Sequence, residues 1–166
     1  MSSKVVRKRH WLQADVDQAG TGTDDNVDVF TADRAIRILG WKIVNYSNIQ
    51  CGDEVGLTGY CRSILSRDPL APENDYILDF CGISAANASN VAWTEVVGAS
   101  GNGYACMERH LDRKEANELG LLLDYGESIA LHTRAHIGGA AAANATCYGR
   151  CQGFLEYEEL GGGAYR

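Results

Sequence analysis

Apolar and polar residues alternate with a period of two through the last quarter of the chain, from Tyr125 to Leu160. In the first arm Ile129, Leu131, Thr133, Ala135 and Ile137 point one way, and Ser128, Ala130, His132, Arg134 and His136 the other. In the second arm Ala145, Cys147, Gly149, Cys151, Leu155 and Tyr157 share a face opposite Thr146, Tyr148, Arg150, Gln152 and Glu158. Side chains on a strand point to its two faces in turn, so each arm predicts a long half-buried strand. The Gly-containing connection predicts that the arms pair as an antiparallel hairpin, buried by the rest of the chain.

The same reading predicts strands over Val27–Thr31, Asp33–Asn45, Val55–Leu65, Tyr76–Cys81, Val91–Val97 and Tyr104–Met107, with Leu121–Asp124 leading into the hairpin. The 33–45 strand is apolar on both faces, which predicts cover on both sides, and Gly40 in its middle predicts a bulge or a close backbone approach. Residues 11–26 are polar and Gly/Asp-rich and read as a linker. Ser66–Asn74 holds both prolines and reads as a loop, as do the small residues of Ile83–Asn90. Only Asp112–Leu119 predicts a helix, with Asp112 as cap and Glu115 completing a capping box. Many short strands with regular turns and at most one short helix define an all-β class: a two-sheet antiparallel β-sandwich, best arranged as a jelly roll. The expected division is a basic arm and linker over 1–26, the sandwich over 27–160 and a Gly-rich tail over 161–166.

Composition adds three points. The 45% apolar content of 166 residues suits one folded domain. No apolar run is long enough to span a bilayer as a helix, and the N-terminus lacks the apolar core of a secretory signal. The net charge of −7 is uneven: Lys4, Arg7, Lys8 and Arg9 lead a remainder of 11 basic and 22 acidic side chains. A basic arm on an acidic body predicts contact with something anionic, whether nucleic acid, a lipid surface or an acidic neighbouring subunit. Trp11, beside that arm, is the tryptophan expected to be exposed, whereas Trp41 and Trp93 sit in apolar strands. Six cysteines without a signal peptide predict reduced thiols, mostly buried as small hydrophobes.

Candidate chemistry is sparse. His132 and His136, with Cys147 and Cys151 on the strand expected to pair with theirs, form a zinc-type inventory. The alternation, however, sets the histidines on the polar face and the cysteines on the apolar one. Cys106 with His110, near Asp112, is the one Cys/His nucleophile arrangement close in sequence. The carboxylates at Asp24, Asp25 and Asp28 and at Glu156, Glu158 and Glu159 read as charged rims that discourage edge pairing; paired acids could also serve glycoside hydrolysis or bind calcium, the latter best at 24–28. The GTG at 20–22 and GNG at 101–103 read as turns. Asn45, Asn87 and Asn144 begin glycosylation-type triplets.

Over 27–160 the pattern resembles the small single jelly-roll structural proteins of icosahedral viruses, in which a basic arm faces the genome or an internal membrane. That resemblance implies a non-enzymatic, self-assembling capsid or virion surface subunit, made in the host cytoplasm, with no cofactor and no small-molecule substrate. Its partners would be copies of itself and other virion proteins. The resemblance supplies no functional residues; the basic run itself marks Lys4, Arg7, Lys8, Arg9 and Trp11 as the expected arm and interface. Two alternatives are a carbohydrate- or ligand-binding sandwich, and a cupin-like enzyme holding a metal on His132, His136 and a carboxylate.

Overall fold

The computed structural model describes residues 6–50, 58–67, 77–86, 94–95, 100–138 and 145–161. Ten strands and one helix are present among them: β1 (Arg7–Ala19), β2 (Gly22–Thr31), β3 (Ile36–Gln50), β4 (Thr58–Ser66), β5 (Ile77–Ala86), β6 (Thr94–Glu95), β7 (Ser100–His110), α1 (Arg113–Glu118), β8 (Leu122–Leu123), β9 (Ser128–Gly138) and β10 (Thr146–Glu159). One sheet runs β1-β10-β3-β7, with β8 added beside β3; the other runs β2-β9-β4-β5-β6. All pairs are antiparallel except β5 with β6.

The pairings nest. β4 pairs with β5, β3 with β7, β2 with β9 and β1 with β10, so the chain is a long folded-back ribbon. Two further pairings, β10 with β3 and β9 with β4, roll that ribbon into two sheets. This is a jelly-roll sandwich. It corrects the expected terminal hairpin: β9 and β10 lie in different sheets and do not pair. Alternation assigns a face to each residue but does not name the neighbouring strand.

The expected linker at 11–26 is also corrected. β1 and β2 both belong to the sandwich, one in each sheet, turning over at Gly20, whose φ of 71° is open to glycine. Their polar appearance follows from position. β1 buries Leu12, Ala14 and Val16 and exposes its other face, while β2 lies at a sheet edge. The GNG at 101–103 lies within β7 rather than in a turn, and β5 runs on through 83–86. The proline loop, most of the 91–97 strand, Trp93, Asn87, Asn144 and residues 162–166 lie outside the described residues.

Between the sheets sits one core that includes Ile36, Ile38, Trp41, Ile43, Leu65, Ile83, Leu131, Ile137 and Leu155. Its middle is polar. Asn45 Nδ2 donates to Ser63 Oγ at 2.8 Å, Ser47 Oγ donates to Asn45 Oδ1 at 2.6 Å, and the Ser63 and Thr133 hydroxyls meet at 3.1 Å. These buried groups are tolerated because they satisfy one another across the two sheets. Asn45 is therefore no glycosylation acceptor. Close approach is bought with glycine: a Cβ on Gly149 would overlap Cys61 Sγ of the opposite sheet.

β3 follows both expectations for Gly40. The β10 register slips opposite it, and a Cβ there would overlap the Arg109 carbonyl of β7. Its cover is one-sided beyond the bulge, where Lys42 and Tyr46 are exposed. Asp112 caps α1 as predicted: its side chain accepts the Glu115 N–H at 2.8 Å, and Glu115 accepts the Asp112 N–H at 2.8 Å.

Candidate functional site

The basic run finds its anion within the chain. Arg7 Nη1 lies 2.7 Å from Glu156 Oε1, Arg9 Nε 3.4 Å from Glu156 Oε2, and Lys8 Nζ 2.5 Å from Glu159 Oε1. β1 and β10 bring these residues together because Arg7, Lys8 and Arg9 register against Glu158, Tyr157 and Glu156. The run from Arg7 onward is therefore a strand clamped to its neighbour rather than a loose arm; Lys4 lies outside the described residues. Glu158, 4% exposed, is held by Arg37 and by a two-pronged contact from Arg113, Nε to Oε1 at 3.0 Å and Nη2 to Oε2 at 2.9 Å. Burial pushes the Glu158 carboxyl up, and the hydrogen bonds from Arg113 and Arg37 more than reverse it, leaving it below the ordinary range. The acidic rim is thus an internal clasp that joins β10 to β1, β3 and α1. A shallow cleft of about 440 Å³ beside it is lined by Arg7, Leu39, Asp112, Arg113 and Lys114. Its two arginines are already engaged by Glu156 and Glu158.

The zinc-type set does not assemble. His132 and His136 lie on β9 and point away from the core, whereas Cys147 and Cys151 lie on β10 in the other sheet and point into it. His136 Nδ1 meets Thr23 Oγ1 at 2.8 Å, and its ring stacks on Tyr60 at 5.1 Å. Among the described residues, no three His, Cys, Asp or Glu side chains gather as a metal site would require. A cupin-type metal inside the sandwich would need inward histidines, and both point out.

The calcium-type cluster is a strand-edge cap instead. Asp28 Oδ2 accepts the Gln13 N–H and Asp24 Oδ2 accepts the Asp17 N–H, both at 2.8 Å, while Asn26 Nδ2 donates to the Asp15 carbonyl at 2.9 Å. Side chains of β2 thereby occupy the free backbone edge of β1, which blocks strand addition there. Asp25 pairs with Arg134 at 2.5 Å.

Cys106 and His110 are four residues apart on one strand, about 13 Å, and the His110 ring turns to Glu108 at 3.0 Å. Partial burial and then the Glu108 charge push the Cys106 thiol up, the wrong direction for a nucleophile. None of Cys61, Cys81, Cys106, Cys147 and Cys151 is in a disulfide. Cys106 is exposed and the other four are buried; burial pushes Cys151 up to about 12, against hydrogen bonds from Ser63 and Thr133. Brief alkylation of the folded single chain at pH 8, at a concentration too low for association, should therefore label Cys106 and spare Cys61, Cys81, Cys147 and Cys151 until denaturant is added. Peptide mass mapping reads this, and labelling of the buried four at the same rate as Cys106 would refute it.

What the sandwich does present is one broad face. The outer side of the β1-β10-β3-β7 sheet exposes Trp11 (66%), Tyr46 (46%) and Tyr104 (65%), with Phe154, Tyr148 and Val44 half-buried among them. Arg9 lies 4.2 Å over the Phe154 ring, and Trp11 meets that ring edge-on at 5.5 Å. Trp11 could be suspected from its place beside the basic run. The other aromatics could not, because Tyr46 and Tyr104 join this face only through the pairing of β3 with β7.

Fold and face define an all-β jelly-roll sandwich with an aromatic outer sheet. No protein-family model matches the chain, and no curated protein does. Among solved structures, the chain is similar to a chain in the structure of infectious bursal disease virus Gx strain, at 14% identity and a TM-score of 0.40 over 96% of this chain and 33% of that one. It is similar to a chain of Desmodium yellow mottle tymovirus at 12% identity and a TM-score of 0.37, over 99% of this chain and 94% of that one. It is also similar to a chain of dimeric latent PorU from Porphyromonas gingivalis at 9% identity and a TM-score of 0.40, over 96% of this chain and 14% of that one. This chain thus spans about a third of the first of these and about a seventh of the third.

Proposed function

We propose that this protein is a self-assembling structural subunit, of the kind that builds a virion or its surface, with the jelly roll as its rigid block. The observation that carries the reading is the aromatic outer face of the β1-β10-β3-β7 sheet. Two pairs of aromatics on one rigid sheet face, Trp11 with Phe154 and Tyr46 with Tyr104, mark an interaction surface. Copies of the chain and other structural proteins are the partners this reading names, and association is its chemistry.

The test is the assembly state of the purified protein, by light scattering and negative-stain imaging. Shells, sheets or defined multimers larger than about a hexamer are expected. Trp11→Ser should weaken association by about 1 kcal/mol, roughly fivefold in dissociation constant, as for an exposed aromatic towards the edge of a contact, while leaving the circular dichroism spectrum unchanged. A wild-type protein that stays monomeric at high concentration would overturn the reading. The exposed Trp11 ring also favours the carbohydrate-binding alternative. A monomer whose melting temperature rises with added glycan, and loses that rise in Trp11→Ser, would put that reading first.

A further inference from the structure

We infer that two copies of this chain pack through the outer face of the β1-β10-β3-β7 sheet, antiparallel, about a two-fold axis that crosses the strands along the row Gln13–Gln152–Val44–Cys106. The inference rests on the subunit reading above and deepens it by naming the contact.

The row is continuous in register: Gln13 pairs with Gln152, Gln152 with Val44, and Val44 with Cys106. All four side chains lie on the outer face, and none carries a formal charge at neutral pH. Two residues to either side of it the chemistry is reciprocal. On β10, Phe154 lies on one side and Arg150 on the other. On β3, Lys42 lies on one side and Tyr46 on the other. On β7, Glu108 lies on one side and Tyr104 on the other. Reversing a second copy about the row sets Arg150 over Phe154, Lys42 over Tyr46 and the Glu108 carboxylate over the Tyr104 hydroxyl. Within one chain Arg9 covers Phe154, Arg150 pairs with Asp15 and Lys42 with Glu108; across the contact these are exchanged for two cation–aromatic pairs and a charge-assisted hydrogen bond. On β1 the outward residues run from Arg9, through Trp11 and Gln13, to Asp15 and Asp17. The same reversal sets Arg9 over Asp17, four residues to either side of Gln13, and Trp11 over Asp15, whose carboxylate can accept the indole N–H. A surface that complements itself in this way is isologous, as a two-fold contact requires.

Two further points favour the face. β1 cannot add a strand along its edge from Gln13 to Asp17, because Asp24, Asn26 and Asp28 already occupy backbone groups there. The area is sufficient: four strands over the length from Arg9 to Asp17 present roughly 550 Å², so two copies bury about 1,100 Å², above the ~1,000 Å² expected of a specific contact.

Cys106 supplies a native probe, since it is exposed and lies on the row. Treating the wild-type protein with a short bismaleimide should give a covalent dimer that is lost in Cys106→Ser. In the Cys106→Ser background, the variants Arg9→Cys and Asp17→Cys should cross-link when mixed and far less when either is alone. Absence of the wild-type cross-link, or self-linking of Arg9→Cys in preference to the mixed pair, would overturn the pairing. Large assemblies that form without a Cys106 link would overturn the pairing while leaving the subunit reading standing. A linked dimer that grows no further at high concentration would uphold the pairing and overturn the subunit reading.

Discussion

Gly153→Ala should cost about 3 kcal/mol or more and bring the protein close to unfolding. Gly153 lies in the middle of β10, the strand held between β1 and β3. A Cβ built there would overlap the Lys42 carbonyl and stand 2.6 Å from Ile43 Cα, both on the backbone of β3. A flexible side chain could swing aside, but a strand held on both sides cannot. The overlap must therefore be relieved by moving β3 against β10, which disturbs the backbone ladder and the packing of Ile43 and Trp41 at once. Urea unfolding followed by tryptophan fluorescence reads the loss as a lower midpoint. A midpoint equal to that of the wild type would show that the two strands have more room than this geometry gives them.

Glu158→Gln should cost about 3 kcal/mol, the lower part of the range for breaking a buried ion pair, because Arg113 is itself 57% exposed. The amide keeps the shape but removes the charge that Arg37 and Arg113 share. Arg37, 16% exposed, is then left partly buried without its anion, and the tie from α1 to β10 is cut. For a chain of this size the melting temperature should fall by roughly 6–12 °C. A shift within error would mean that the clasp is solvent-screened like an ordinary surface pair.

The same clasp sets the acid limb of stability. Glu158 in the folded protein holds its proton less tightly than a carboxyl in the unfolded chain, which titrates near about 4.3. The unfolded state therefore binds more protons in this range, and stability falls as pH falls. The contribution of Glu158 is full above the unfolded value and is lost as pH drops through its lower folded value. Glu156, pushed up by burial but brought lower on balance by Arg7 and Arg9, adds to the same limb. Below about pH 4 the wild-type melting temperature should fall more steeply than that of Glu158→Gln, and the two curves should converge.

Much of this could be read from residue order alone. Period-two alternation marked Ile129–Ile137 and Cys147–Tyr157 as strands with the right residues inward, since the face of a strand residue depends only on its parity. Asp112 and Glu115 announced the helix start because a capping box closes within four residues. Gly40 announced a bulge for the same local reason. These features, with the near absence of other helix signals, determined an all-β sandwich.

Which strands are neighbours was decided only in three dimensions. β9 and β10 follow one another in sequence yet part into different sheets, because pairing is chosen by the packing of the whole roll and not by the loop between them. That choice separates His132 and His136 from Cys147 and Cys151. It also turns Asp24 and Asp28 from a cation cluster into caps for β1, and gives Arg7, Lys8 and Arg9 their anions on β10. Charge and hydropathy along a chain tell what each residue needs; the residue that meets the need lies, for Arg7 and Glu156, 149 positions away. The aromatic face has the same origin, since Trp11 meets Phe154, and Tyr46 meets Tyr104, only when β1 pairs with β10 and β3 with β7.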